Sequence, residues 1–181
     1  MSARAVGNPA GRVAVGPGVE LRPMRWWDLD EVLIIERASF GTEAWSPETY
    51  WAELAERHTR RYLVAHEVGS VAVIGYVGIS AVADEADVQT IASDPAVRGR
   101  GVGRTLLRCG LAEAVAAGAR RIHLEVRADN NAALGLYAAE GFRRTGRRKS
   151  YYRDARGGGV DAVMMSRDLR PDGIGPGEAD S

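Results

Sequence analysis

The chain is short of the residue types that carry covalent or metal chemistry. It has one cysteine, Cys109, one lysine, Lys149, and three histidines. A lone cysteine excludes a disulfide framework and suits a reducing, cytoplasmic compartment. Its place inside a helical pattern fits a packing residue better than a catalytic thiol. A single lysine leaves little room for lysine-based covalent catalysis. His58, His66 and His123 are scattered without helical or finger spacing, so no metal site is expected.

Long apolar runs are also missing. None approaches the roughly 20 residues of a membrane span. The formal net charge is zero, so no overall field draws the chain to nucleic acid or to a membrane surface. Residues 1–18 carry Gly7, Pro9, Gly11, Gly16, Pro17 and Gly18 without the apolar stretch of a signal peptide, and read as a flexible leader. Residues 170–181 read as a disordered tail. Residues 19–169 remain, enough for one domain around one core.

What is present is an alternation of extended and helical patterns. Val19–Arg22 reads as a strand, and about Trp27–Ala38 as a helix whose apolar face holds Leu29, Val32, Leu33 and Ile35 or Ile34. Ser46-Pro47-Glu48 starts a second helix: a capping hydroxyl, proline at the first helical position, then an acid at the positive dipole end. Arg61–Glu67, Ala72–Ser80 and Asp87–Ala92 read as strands, the last stopped by Ser93-Asp94-Pro95. A helix over about Val102–Ala117 ends at Gly118. Ile122, Leu124 and Val126 alternate with His123, Glu125 and Arg127, which predicts a strand with two unlike faces. A short helix over Asn131–Glu140 and strands near Phe142–Tyr152 and Val160–Arg167 complete an α/β or α+β layer around a mixed sheet.

The densest signal is Arg98-Gly99-Arg100-Gly101-Val102-Gly103-Arg104, between an extended segment and a helix. Glycines leave backbone amides uncovered where a helix N-terminus already offers unpaired donors. Such a turn cradles a phosphate, and the arginines add charge for the same ligand. No lysine followed by Ser or Thr closes it, which argues against a nucleotide P-loop.

This turn, the strand carrying Glu125, and Asn130 followed by Leu136-Tyr137-x-x-x-Gly141-Phe142 together resemble the GNAT family of acyl-CoA-dependent N-acetyltransferases. Leu124-Glu125-Val126-Arg127-Ala128 with Asn130, Arg148-Lys149-x-Tyr151-Tyr152 and Phe40-x-x-x-Ala44-Trp45-Ser46 look like its RimI branch, which acetylates protein N-termini; Ala44 stands where that branch usually has proline. The resemblance spans roughly Leu21–Leu169. It implies a mostly antiparallel, twisted sheet flanked by helices, with acetyl-CoA bound in the splay between two central strands. It further implies direct acetyl transfer, in a ternary complex, to a protein N-terminal amine, namely the alanine of small-subunit ribosomal protein number eighteen.

Residue roles follow from the same resemblance. Amides from Arg98 to Arg104 would bind the pyrophosphate, and a main-chain amide at Ile91, Ala92 or Ser93 would polarise the thioester. Glu125 would be the general base, Tyr137 the general acid beside the cofactor, and Asn130 both a cofactor contact and a helix cap. Trp45, Tyr151 and Tyr152 would meet the acceptor, with Trp26 or Trp27 shaping the same cleft. On the residues alone, Glu125 is equally a surface carboxylate paired with Arg127 or His123. Tyr137 is a core tyrosine, and Tyr151 and Tyr152 are edge aromatics. A member acting on a lysine side chain or small molecule, and a non-catalytic CoA-binding regulatory subunit, are the other readings of the whole.

Overall fold

A computed structural model describes residues 13–16, 18–153 and 157–169. The described strands are β1 (Val13–Gly16), β2 (Val19–Pro23), β3 (Arg60–Glu67), β4 (Val73–Val82), β5 (Glu85–Ser93), β6 (Arg121–Arg127), β7 (Arg143–Arg153) and β8 (Gly159–Asp168). The α-helices are α1 (Leu29–Phe40), α2 (Pro47–Ala55), α3 (Val102–Ala116) and α4 (Asn131–Ala139). The chain folds into two compact units, one from Met1–Ser80 with Gln89–Glu113, the other from Ala81–Val88 with Ala114–Ser181. The segment read as a leader holds a strand: β1 pairs antiparallel with β2, Val13 opposite Leu21. The remaining leader residues up to Pro17, and the tail from Arg170, lie outside the described residues.

In the first unit β2, β3 and β4 pair antiparallel in that order, Val64 standing opposite Arg22 on one side and Tyr76 on the other. β4 is buried from Val73 to Ser80 because it is covered on both faces. On one side α1 and α2 bring Val32, Leu33, Ile35 and Tyr50 into a cluster with Tyr62, Val64 and Tyr76. On the other, α3 comes so close that a Cβ on Gly110 would stand 3.0 Å from Ile79 Cδ1. The first helix begins later than its apolar period suggests, after a 3-10 turn at Trp26–Asp28. The buried Asp28 carboxylate organises that turn, accepting from the Arg25 amide and pairing with both terminal nitrogens of Arg22 at 2.7 Å. The second start follows its sequence signal: Ser46 Oγ accepts from Thr49 N–H at 3.3 Å, with Pro47 opening α2.

In the second unit β6 runs between the first residues of β5 and β8. It pairs parallel with β5 over Glu85–Asp87 and antiparallel with β8 along its whole length, and β7 lies beyond β8. Leu124–Arg127 therefore continue β6 past the last residue paired with β5 in this unit. Ile122, Leu124 and Val126 are buried, and so are Val163 and Met165, which stand opposite Val126 and Leu124 on β8, so the alternation of β6 has its cause in one covered face. The sheet is mixed and mostly antiparallel, with helices packed on it.

Candidate active site

In the first unit β5 leads into the glycine turn. Ala92 is buried, Ile91 and Ser93 are half-buried, and the next amide, Asp94 N–H, donates to Ile74 O at 2.9 Å. A short 3-10 turn, Pro95–Val97, is capped by Asp94 Oδ1 accepting from Ala96 N–H at 2.8 Å. Gly99 and Gly101 follow with φ of 76° and 83°, a region costly for any side chain. A Cβ at either would meet nothing within 4 Å, so the backbone there faces open space. α3 starts at Val102, whose side chain is buried, and Thr105 N–H is bonded back to Gly101 O at 3.0 Å. Helix geometry leaves the amides of the first turn without carbonyls behind them. Gly103 is half-buried and Arg104 exposed. Arg98 is exposed, whereas Arg100 is held by Glu67 at the end of β3, Nη2 to Oε1 2.6 Å. The open turn, the helix start and the arginines fit a diphosphate.

In the second unit Glu125 lies on the half-exposed face of β6, opposite Met164 in register. Its partner is neither Arg127 nor His123. Arg127 forks onto Asp129, and His123 Nε2 meets Glu85 Oε2 at 2.5 Å. Glu125 Oε1 instead takes Arg148 Nη1 of β7 at 3.1 Å, and that guanidinium also covers the Tyr151 ring at 5.3 Å. The β7–β8 ladder has a defect directly after Arg148. Arg148 pairs with Ala162 and Tyr152 with Val160, so Lys149, Ser150 and Tyr151 share the single opposing residue Asp161. Ser150 takes φ of 51°, and its amide donates to Asp161 Oδ1 at 2.8 Å; Arg147 Nε lies 2.5 Å from Asp161 Oδ2. These contacts, the Ser150 amide first, hold the Asp161 carboxyl below its usual range.

The Tyr137 ring is buried on α4 against Phe142, centroids 5.8 Å apart. Burial, with the nearby Tyr152 adding to it, pushes its phenol up to about 12. Asn130 is the cap expected of it, Oδ1 accepting from Ala133 N–H at 3.1 Å. Tyr151 is exposed and Tyr152 half-buried, their rings edge to face at 5.0 Å, and Arg127 covers the Tyr152 ring at 5.5 Å.

Trp45 belongs to the first unit. It packs half-buried on the core beside Tyr50, and its amide donates to Glu36 Oε1 at 2.9 Å. Glu36 is a buried carboxylate that the sequence does not single out: Tyr50 Oη donates to its Oε2 at 2.8 Å, and Tyr76 Oη to the same oxygen. Trp26 and Trp27 are both exposed, paired edge to face. Cys109 is half-buried on α3, its thiol pushed up by burial and then by Glu113. Among the described residues no group of three or more His, Cys, Asp or Glu is arranged to hold a metal ion. No described helix is long and apolar enough to cross a membrane.

The pattern of the Acetyltransferase (GNAT) family matches residues 26–142. A candidate ribosomal protein bS18-alanine N-acetyltransferase of Bacillus subtilis strain 168 is 41% identical over 145 residues, 80% of this chain and 92% of that protein. The N-alpha-acetyltransferase RimI of Mycobacterium tuberculosis is 43% identical over 132 residues, 71% of this chain and 78% of its own. The crystal structure of the ribosomal-protein alanine N-acetyltransferase of Escherichia coli is similar with a TM-score of 0.76 at 28% identity, covering 86% of this chain and 96% of that one. With the family pattern across most of the chain and the fold and glycine turn in place, this protein belongs to the acetyltransferase (GNAT) family.

Proposed function

We propose that this protein moves the acetyl group of acetyl-CoA to the N-terminal alanine of small-subunit ribosomal protein number eighteen, in the cytoplasm. Support for the acceptor comes from the Bacillus subtilis and Escherichia coli relatives, whose names carry that ribosomal-protein alanine. The observation that carries the chemistry is the setting of Glu125, half-exposed on a strand whose neighbours Leu124 and Val126 are buried. A carboxylate held on a rigid strand with one oxygen on Arg148 can take a proton from an incoming ammonium, directly or through one water.

Acetyl-CoA supplies the activated thioester. The Arg98–Arg104 turn holds its diphosphate through backbone amides and the α3 dipole, with Arg98 as an available charge. A main-chain amide among Ile91, Ala92 and Ser93 faces the carbonyl oxygen as negative charge develops there, an interaction worth about 3 kcal/mol when preorganised. The acceptor ammonium, with a pKa near 8, gives its proton to Glu125. The free amine attacks the carbonyl carbon, the C–N bond forms and the C–S bond breaks. Tyr137 meets the departing sulfur. With its phenol at about 12, full transfer to a thiolate of ordinary pKa near 8.5 is uphill. Tyr137 therefore acts as a neutral hydrogen-bond donor to the departing sulfur, and the second proton shed by the attacking nitrogen ends on that sulfur, so that the thiol leaves and the phenol stays protonated. Trp45, Tyr151 and Tyr152 are the acceptor contacts in this reading.

The test is turnover with acetyl-CoA and short peptides that differ only at the first residue. Preference for a free N-terminal alanine is the expected result. Preference for a blocked peptide with an internal lysine contradicts it.

A further inference from the structure

The first unit has a cavity of about 510 Å³ that the proposed chemistry does not use. It opens where β2 ends, α2 ends and β3 begins, with Met24, Leu54 and Tyr62 among its apolar lining. This is the far end of β3 from the glycine turn. Arg60 and Arg61 line the cavity, whereas Arg100 of the turn is tied to Glu67, seven residues further along the strand. At about 3.3 Å per residue the two ends are more than 20 Å apart.

Two features of the cavity stand out. The first is exposed tryptophan: Trp26 and Trp51, both in the lining, are 61% and 51% exposed. Large aromatic rings left in water beside a concavity mark contact surfaces, and energetic centres of protein interfaces are enriched in Trp, Tyr and Arg. The second is charge. Of the two carboxylates in the lining, Glu53 is taken by Arg60 Nε at 2.6 Å and Tyr62 Oη at 2.8 Å, and Glu113 faces Arg61 at 3.9 Å. Arg25 and Arg57 also line the cavity, are exposed, and make no ion pair among the described residues. The chain as a whole carries no net charge, so this surplus of positive charge is local.

We propose that the cavity docks an acidic segment of a partner protein, with one large apolar side chain seated between Trp26 and Trp51 and carboxylates on Arg25 and Arg57. An acidic strand or helix with an apolar anchor satisfies both features. A basic or wholly apolar segment leaves the guanidiniums desolvated without partners, which is costly. The surface recruits or orients a partner and takes no part in acetyl transfer, whichever amine is the acceptor.

The experiment is a selection of random dodecapeptides displayed on phage against the intact protein, counter-selected on the Trp51→Ala/Arg57→Glu double variant. Enriched peptides should carry several Asp or Glu around one large apolar residue. Made synthetically, they should bind the variant at least tenfold more weakly by fluorescence polarisation. The variant should keep kcat and KM for a short acceptor peptide. Arg57→Glu alone, at an exposed position, gives the same comparison should the double variant fail to fold. Enrichment of basic sequences, equal binding to both proteins, or a raised KM for the short acceptor overturns the proposal. A dimer in sedimentation equilibrium that Arg57→Glu abolishes also overturns it, by assigning the cavity to a second copy.

Discussion

Arg148 Nη1 lies 3.1 Å from Glu125 Oε1, and the same guanidinium covers the Tyr151 ring at 5.3 Å. One cation therefore links the proposed base to a proposed acceptor contact. An arriving ammonium competes with Arg148 for the same carboxylate. Glu125→Gln should lower kcat by one to two orders of magnitude, the usual cost of a lost general base. Arg148→Met should leave acetyl-CoA affinity alone and change KM for the peptide several-fold. Steady-state kinetics with each substrate varied checks both. Unchanged kcat in the glutamine variant removes Glu125 from the mechanism.

Gly101→Ala forces a side chain into a φ of 83°, which costs about 1–2 kcal/mol for a left-handed residue. The strain is relieved by moving the turn, and the amides move with it. Acetyl-CoA should bind about tenfold more weakly by titration calorimetry, with KM for the peptide unaffected. An unaltered affinity would mean that this turn does not hold the diphosphate.

Tyr137→Phe should slow turnover while preserving acetyl-CoA affinity. The wild-type pH profile carries the complementary sign. Rate rises as the acceptor ammonium, with a pKa near 8, loses its proton. Because the Tyr137 phenol is pushed up to about 12, it stays protonated and no fall in rate from its ionisation occurs at pH 10. A descending limb centred at pH 10 that disappears in the phenylalanine variant would contradict the assigned environment of Tyr137.

Glu36→Ala strips the acceptor from two hydroxyls and the Trp45 amide at once. Buried donors left unpaired cost about 1–3 kcal/mol each, so the loss should reach at least about 3 kcal/mol. For a chain of this size that lowers Tm by about 6–12 °C. Glu36→Gln keeps one carbonyl oxygen and should lose less. Calorimetry showing equal Tm for all three proteins would mean that the buried carboxylate is not the tie between α1, α2 and β4.

Burial is the main cause that raises the phenols of Tyr50, Tyr62 and Tyr76 above their usual range. The folded state therefore binds protons that an unfolded phenol, with a pKa near 10, gives up. Their contribution to stability is complete below about pH 10 and declines as the pH rises beyond it. Urea unfolding followed by circular dichroism should show a lower midpoint at pH 11 than at pH 8. A constant midpoint would sink this reading of the aromatic cluster.

What could be read from the sequence was local. Ser46-Pro47 starts α2, Asn130 caps α4, and the alternation at Ile122–Val126 is β6, because each signal concerns residues within one turn or one strand. The partner of Glu125 was not legible. Arg148 reaches it from β7, across the intervening β8, and nothing near Glu125 in the chain encodes that register. Glu36 was hidden for a related reason. An acid within an apolar helical run gives no sign that donors 9, 14 and 40 residues away will converge on it.

The most direct measurement is mass spectrometry of small-subunit ribosomal protein number eighteen, incubated with acetyl-CoA and either this protein or its Glu125→Gln variant. One acetyl group on the N-terminal alanine, formed with the native protein and nearly absent with the variant, is the predicted result. An unmodified N-terminus with both proteins, or acetylation confined to lysine side chains, would contradict the account.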